Sequence, residues 1–436
     1  MLLQIPGNMV KNLIHEREMI QRDASIEISH KWGDKQTLTG PYIALPYDKY
    51  PRKYASREME RDEKDMGWIY LLPHELKING EVQTEKRSRS LHEVIVYDSG
   101  LNFSGNFDLD ELLSFGVKKD QIYFEKAIIN FGISDLKGLG NQLDLTWNDK
   151  KIEMNSGTNT QEIIRNGVQA NIDLIPESQG SYNFKIDINI KGSKSLQFVP
   201  TGKTTTVQLK SNWDSPSFNG AYLPNKRVVD KKGFSAEWTI LHLNRNFPQV
   251  FTGPDYRHHI SGSAFGTNLI IPVNGYKKSY RVAQYGLLFL VLTFLAFFLV
   301  EILQKVFIHP IQYLLVGTAL VMFFSLLLSL SEHIHFNLAY LIAAILTLGL
   351  ITWYTASILK SKQVGWMIFG ILSLLYTFIF SIIQMEDHSL LIGCLGIFSI
   401  LALVMYFSRK IDWYNTNLGE FKKEKIDNKP EEVLNL

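Results

Sequence analysis

From residue 286 to residue 408 the chain carries only seven Lys, Arg, Asp or Glu residues, although it holds 45 basic and 43 acidic residues in all. Nearly all the charge therefore belongs to the other 313 positions, and the chain reads as a water-soluble polypeptide joined to one that avoids water. Within the charge-poor part, apolar runs recur at 286–303, 311–330, 338–359, 366–384 and 389–407. Each is close to the ~20 residues a helix needs to cross a ~30 Å hydrocarbon layer. A bilayer offers the backbone no water, so helices satisfy such runs, and the runs lack the alternation of a transmembrane β-barrel. Five membrane-spanning helices are expected.

Basic residues in short loops favour the cytoplasmic side. Lys305, then Lys360 and Lys362, then Arg409 and Lys410 fall in alternate connections and the tail, whereas SEHIHFN and MEDHS contain no Lys or Arg. With five spans this places the C-terminus in the cytoplasm and the large polar region outside. Lys277, Lys278 and Arg281 flank the first span on its outer side and run against the rule, which weakens beside a long translocated domain. The start, MLLQIPGNMVKNLI, is interrupted by Pro6, Gly7 and Asn8 and reads as the last third of a spanning helix.

The polar region reads as β-rich. Phe184, Ile186, Ile188 and Ile190 alternate with Asn183, Lys185, Asp187 and Asn189, the period-two pattern of a strand with one wet face. Similar runs occur at 94–96, 101–107, 122–124, 127–133, 168–174, 205–209 and 236–243, with turn signals at Asp98-Ser99-Gly100, Lys191-Gly192-Ser193 and Lys232-Gly233. Antiparallel sandwich-like or barrel-like sheets follow. Helix is expected in HEREMIQRDASIEISHKW and in DLDELLSFG, where Asp108 suits the cap position. The fold class is thus membrane α+β: a β-rich extracytoplasmic domain, then a five-helix transmembrane bundle, with the N-terminal span largely missing. The expected divisions are 1–20, 21–280, 281–410 and a cytoplasmic tail at 411–436.

Several polar residues stand out as candidate sites. Glu301 is a carboxylate within a span, a functional signal by default, but Lys305 sits at i+4 in the favourable Glu-to-Lys order near the inner boundary. The main expectation is an interfacial ion pair, with a contact inside the bundle, for example to His309, as the alternative. Glu332, His333 and His335 crowd an outer turn. They read as the wet turn between two helices, as helix caps or contacts to the polar domain, or as metal ligands. A zincin requires HExxH, which HIH does not supply on a helix. Lys86, Arg87 and Arg89 in KRSRS suit an acidic polymer or anionic headgroups, or guard a strand edge. Arg257, His258 and His259 in DYRHH read as a surface loop, with a metal or pH-sensitive contact as the alternative.

Walker loops, Gly-x-Ser-x-Gly elbows and CxxC pairs do not occur, and the one cysteine, Cys394, has no intrachain partner. No cofactor, metal or catalytic residue is expected. The net charge of +2 gives no electrostatic case for a nucleic-acid partner.

Long stretches carry a family resemblance: LIHERE, EISHKWGDKQTLTGPYIALPY, KRSRSLHEVIVYDSGLNFSGNF, GISDLKGL, SLQFVPTGKTTTVQLKSNWDSPSFNGAYLP, GFSAEWTILHLNRNFPQ, YGLLFLVLTFLAFFLVEILQKVFIHPIQYLLVG, SLSEH and LALVMYFSRKIDWY. In this order they resemble the CreD family of bacterial inner-membrane proteins named for cell-envelope integrity. The resemblance implies one N-terminal span, a large periplasmic domain and a C-terminal helical bundle. It also implies a role in envelope maintenance and stress linked to the CreBC two-component system, and it carries no catalytic residues over. Two functions stand open. One is a non-enzymatic envelope protein resting in the lipid bilayer, whose periplasmic domain binds a partner protein, a lipid or a peptidoglycan component. The other is a membrane-embedded enzyme or transporter acting on a lipid-linked or hydrophobic substrate.

Overall fold

The computed structural model describes residues 4–49, 66–89, 92–158, 162–175, 181–271, 275–304, 307–385 and 389–409. Lys305, the MEDHS turn and the tail at 411–436 thus lie wholly or largely outside the described residues. The chain divides into a β-rich unit, Asp23–Pro272, and a helical unit made of Met1–Arg22 and Val273–Leu436. Helix α1 (Gln4–Trp32) contributes residues to both.

Two sheets make up the β-rich unit. Its strands, in chain order, are β1 (Gln36–Asp48), β2 (Met66–Leu71), β3 (Glu75–Arg89), β4 (His92–Asp108), β5 (Ile128–Ile133), β6 (Asp144–Trp147), β7 (Lys150–Glu153), β8 (Asn155–Ser156) and β9 (Gly167–Asn171). These are followed by β10 (Ser181–Ser193), β11 (Ser195–Val199), β12 (Thr204–Ser211), β13 (Pro216–Gly220), β14 (Lys226–Asp230), β15 (Gly233–Leu241), β16 (Val250–Thr252) and β17 (Phe265–Leu269). The first sheet runs β13-β17-β11-β1-β5-β9-β8, with β2 and β16 alongside β1, and the second runs β14-β15-β12-β3-β4-β10-β6-β7. Most pairs are antiparallel, and β1–β11 and β3–β12 are parallel.

The inner faces of the two sheets meet in one apolar core. Phe103 of β4 packs edge-on against Phe131 of β5 with ring centroids 4.9 Å apart, and Trp238 of β15 packs on Phe265 of β17. The outer faces differ. In β10 buried and exposed residues alternate throughout Ser181–Ile190, as a sheet with one wet face requires. The first sheet is covered on both sides: every residue of β5 is buried, and Tyr42, Tyr70, Phe247, Phe251 and Ile260 form a second apolar cluster. This is why only some strands alternate in sequence.

Four expectations about this unit need correction. Asp98-Ser99-Gly100 is not a turn: β3 and β4 pair without interruption from Glu75↔Asn106 to Arg89↔His92, and Ser99 donates to the Ile190 carbonyl at 2.9 Å. Continuous cross-strand pairing outweighs the local turn preference. Lys191-Gly192-Ser193 likewise stays in β10, paired with Asp98, Tyr97 and Val96 of β4; Gly192 admits the Tyr97 hydroxyl, which would lie 2.3 Å from a Cβ, and the chain passes to β11 of the other sheet through Lys194 at φ +64. Ile122 and Tyr123 fall between two 3-10 turns, the second beginning at Phe124, and Ile122 forms a single bridge to Tyr47. The Lys232-Gly233 turn closes the β14–β15 hairpin, and α2 (Leu109–Leu113) starts with Asp108 accepting from the Asp110 amide. A second short helix, α3 (Arg257–Gly262), replaces the expected surface loop, with Ile260 turned into the core.

The helical unit contains α4 (Gly275–Gln284), α5 (Gly286–Leu303), α6 (Pro310–Ser331), α7 (Phe336–Ile358), α8 (Lys362–Gln384) and α9 (Ser389–Ser408). Helices α6, α7 and α8 are long and apolar enough to cross a membrane. The pair Lys278–Gln284 and Leu288–Ile302 would add a fourth crossing if it is one span bent by 46°, and Leu391–Tyr406 in α9 is a shorter apolar helix. Helix α6 begins with Pro310 at its first position, where the missing N–H costs nothing. Helix α8 begins with Ser361, whose hydroxyl accepts from the Val364 amide. Phe289, Phe323, Tyr340 and Tyr376 pack as one aromatic cluster in the interior, and the Tyr340 hydroxyl donates to the Tyr376 carbonyl at 2.8 Å. Val10 and Ile14 of α1 belong to the same apolar core.

Candidate functional site

One end of the second sheet gathers polar groups that lie far apart in sequence, and the register explains how. The parallel pairing Glu75↔Thr204 makes His74 and Lys203 neighbours just before β3 and β12. The antiparallel pairing Glu75↔Asn106 brings the end of β4, Asp108 and the first turn of α2 to the same edge. Strand β15 ends opposite Thr204, so the following turn returns Arg245 to this end as well.

Glu111 is the hub. Its Oε1 accepts from the Lys203 ammonium at 2.7 Å and lies 3.3 Å from His74 Nδ1, while its Oε2 is buried without a hydrogen-bond partner among the described residues. Arg245 is only 7% exposed. Its Nη2 donates to the Gly202 carbonyl at 3.3 Å and to Gln249, which in turn donates to the Pro73 carbonyl. The guanidinium lies 4.3 Å over the Phe247 ring. Its Nε and Nη1 find no partner among the described residues. Burial pulls the Arg245 pKa down to about 10, with Tyr222 and Glu111 acting the other way. A buried cation with unspent N–H groups and no carboxylate contact is costly unless an acceptor reaches it.

One ligand atom each from His74, Asp108 and Glu111 lies within 4.8 Å of the others, a spacing that suits a single metal ion. The Lys203 ammonium already occupies the Glu111 carboxylate, however, and Asp108 is engaged in capping α2. The cluster as it stands is a charge-balanced hydrogen-bond network. Sequence reasoning missed it. Apart from the close pair Asp108 and Glu111, the residues from His74 to Arg245 lie 34 to 171 positions apart, and nothing short of the strand register brings them together.

The residues singled out in the sequence do not converge on one place. In the β-rich unit the Arg87 guanidinium lies 3.7 Å over the Trp32 ring and reaches Glu85 at 3.5 Å, while Lys86 approaches the Trp213 ring at 5.8 Å. Arg89 ends β3 opposite His92. Two of the three basic residues of KRSRS are thus engaged with tryptophans. Arg257, His258 and His259 sit on α3, with His258 and His259 exposed and the His259 ring 6.2 Å from Tyr256.

In the helical unit Glu301 is 8% exposed. It accepts from the Ile308 amide at 3.2 Å and from the Tyr313 hydroxyl at 2.7 Å, tying the end of α5 to the start of α6. Lys305, the expected ion-pair partner, lies outside the described residues. His309 caps α6 through Nδ1, which accepts from the Ile311 amide. Glu332 is the C-terminal cap residue of α6 and its carboxylate lies 3.8 Å from Arg17 Nε of α1. His333 Nδ1 is 3.0 Å from the Ser329 carbonyl, which fixes the Nδ1–H tautomer for that bond. His335 is the cap residue of α7 and makes no side-chain cap bond. The three are split among helix ends, and they do not form a three-ligand metal group among the described residues.

A model of the family described as inner membrane protein CreD matches residues 1–414. The inner membrane protein CreD of Escherichia coli (strain K12) is 31% identical over 433 residues, which cover 98% of this chain and 94% of that protein. The chain belongs to the CreD family. Its apolar helices fit the inner-membrane location of that relative. Among solved structures, an M1 zinc metallopeptidase from Deinococcus radiodurans aligns over 42% of each chain at 9% identity with a TM-score of 0.20. A Legionella pneumophila protein described as nutrient binding aligns over 57% of this CreD chain and 77% of its own at 10% identity, with a TM-score of 0.26. At those TM-scores neither likeness bears on fold or activity.

Proposed function

We propose that this CreD-family chain is a non-enzymatic envelope protein, with five membrane-spanning helices, a cytoplasmic C-terminus and a β-rich unit in the periplasm that binds a partner protein, a lipid or a wall component and serves envelope integrity under stress. The observation that carries the binding role is Arg245, a buried guanidinium whose Nε and Nη1 have no partner among the described residues. Groups left unpaired at such cost mark positions where an acceptor is received. Lys203 bound to Glu111 supports recognition over chemistry, since a carboxylate already neutralised by an ammonium is a poor general base.

Purification from native membranes tests this, with the wild type compared with Arg245→Met and with identification of co-purifying lipid, glycan and protein. The reading expects one molecule enriched with the wild type and lost from a folded Arg245→Met protein. Identical profiles from the two would overturn it.

A second reading, a membrane-embedded enzyme or transporter for a lipid-linked or hydrophobic substrate, is favoured by Glu301 alone, because a buried carboxylate in a span is expensive. Its two hydrogen bonds account for it as a fastening between α5 and α6. Loss of envelope function in a stably inserted Glu301→Gln protein would favour this second reading.

A further inference from the structure

Strand β14, Lys226–Asp230, is the outer strand of the second sheet and, among the described residues, is hydrogen-bonded on one edge only, to β15. All five of its residues are exposed. Successive strand residues point to opposite faces, so the 65% and 47% exposure of Val228 and Val229 means that neither face is covered. The hairpin is nevertheless well built. Lys231 and Lys232 form a two-residue turn between Asp230 and Gly233, Asp230 Oδ1 accepts from the Lys232 amide at 2.7 Å, and Gly233 takes φ +140 where a Cβ would strike the Ser211 carbonyl.

An open edge of this kind is a template for another strand. The charges of Lys226-Arg227-Val228-Val229-Asp230 act as a guard against indiscriminate pairing, yet they complement one partner. We propose that β14 pairs antiparallel with β14 of a second copy of this chain, about a two-fold axis at Val228. In that register Lys226 faces Asp230 of the second copy at both ends, and Val228 meets its own counterpart between them on the same face. On the other face the Arg227 stem covers Val229 of the second copy. Within one copy Lys226 has only a 3.7 Å contact to Glu237 on an exposed side chain, and Asp230 keeps Oδ2 for a lysine. Moving the axis by one residue is penalised either way: centred on Arg227 it opposes two arginines, and centred on Val229 it opposes Arg227 to Lys231. Like charges directly opposite one another destabilise a pair, and opposite charges favour it. The register is therefore specified by charge, and the interface is self-complementary as a two-fold dimer requires.

Cysteine cross-linking in membranes, with the full chain and Cys394→Ser as background, tests the pairing. Directly opposed residues of an antiparallel pair have Cα atoms about 4.5 or 5.5 Å apart, within disulfide range. Val228→Cys should give a disulfide-linked dimer under mild oxidation, several-fold more than Val229→Cys, whose opposite residue is Arg227. Adding Lys226→Asp or Asp230→Lys to Val228→Cys should each suppress the dimer, and adding both should restore it. Equal cross-linking at 228 and 229, no cross-link at 228, or failure of the double exchange to restore it would each overturn the proposal.

Discussion

The two units solve opposite solvent problems. In the β-rich unit large apolar side chains turn inward: Trp238 is fully buried between the sheets, and the outer face of β10 is polar at every second residue. In the helical unit the large apolar side chains also turn outward. Trp353 is 69% exposed, and Trp366, Leu374, Phe398 and Met405 are exposed as well. Such a surface is ruinous in water and ordinary against lipid tails. Polar groups follow the same division. The β-rich unit sustains a network of charges around Glu111, whereas buried Glu301 is satisfied by one amide and one hydroxyl.

The largest expected effect tests that contrast on matched residues. Trp238→Ala removes a side chain at the centre of the sandwich and should cost about 3–5 kcal/mol, whereas Trp353→Ala on the outer surface of α7 should stay within about 0.5 kcal/mol. Thermal unfolding of the detergent-solubilised protein, followed by near-ultraviolet circular dichroism, reads both. Equal costs would break the comparison.

Alkaline pH probes the β-rich unit through two of its buried phenols, Tyr70 and Tyr97. Burial, with the Glu162 carboxylate adding to it at Tyr70, pushes the pKa of Tyr70 and Tyr97 far above the usual phenol value. Unfolded phenols ionise near pH 10. Above that pH the unfolded state releases protons that the folded state retains, so the stabilisation is complete below about pH 10 and is lost as pH rises beyond it. Each phenol should cost about 1.4 kcal/mol by pH 11. A melting temperature that holds level from pH 9 to 11 would contradict this.

Glu111→Gln should cost about 1–3 kcal/mol, since it removes a charged acceptor from Lys203 and His74. The same melts measure it, and an unchanged midpoint would mean that the network does not stabilise the unit. The smallest effect is expected at His335, which makes no side-chain cap bond. His335→Ala should change the melting midpoint and envelope function within error, and stoichiometric zinc lost on that substitution would restore a metal site.

How much of this was legible in the sequence depended on whether the pattern was local. Apolar runs betrayed α6, α7 and α8 almost to the residue, and Ile186, Ile188 and Ile190 betrayed β10, because each reports its own solvent. In the doubly covered sheet β5 was read at 127–133, whereas β1, buried along most of its length, carried no alternation and was not read. The turn signal at Asp98-Ser99-Gly100 was overridden by fifteen residues of β3 lying alongside. The cluster of His74, Glu111, Lys203 and Arg245 exists only through the parallel β3–β12 register, a non-local fact. Of the sites read from sequence, Glu301 is held by Ile308 and Tyr313 while its expected partner Lys305 lies outside the described residues, and in KRSRS Lys86 and Arg87 contact Trp213 and Trp32.

Thiol labelling in cells tests whether the apolar helices cross the membrane with the β-rich unit in the periplasm, as proposed. On a Cys394→Ser background, single cysteines are placed at exposed Lys150 in β7, at Ile334 in the α6–α7 turn and at Lys362 at the start of α8, and are challenged with a membrane-impermeant reagent that reaches the periplasm. The account predicts labelling at 150 and 334 in intact cells, and at 362 only after the inner membrane is opened. Labelling at 362 in intact cells, with 150 and 334 protected until the membrane is opened, would contradict it.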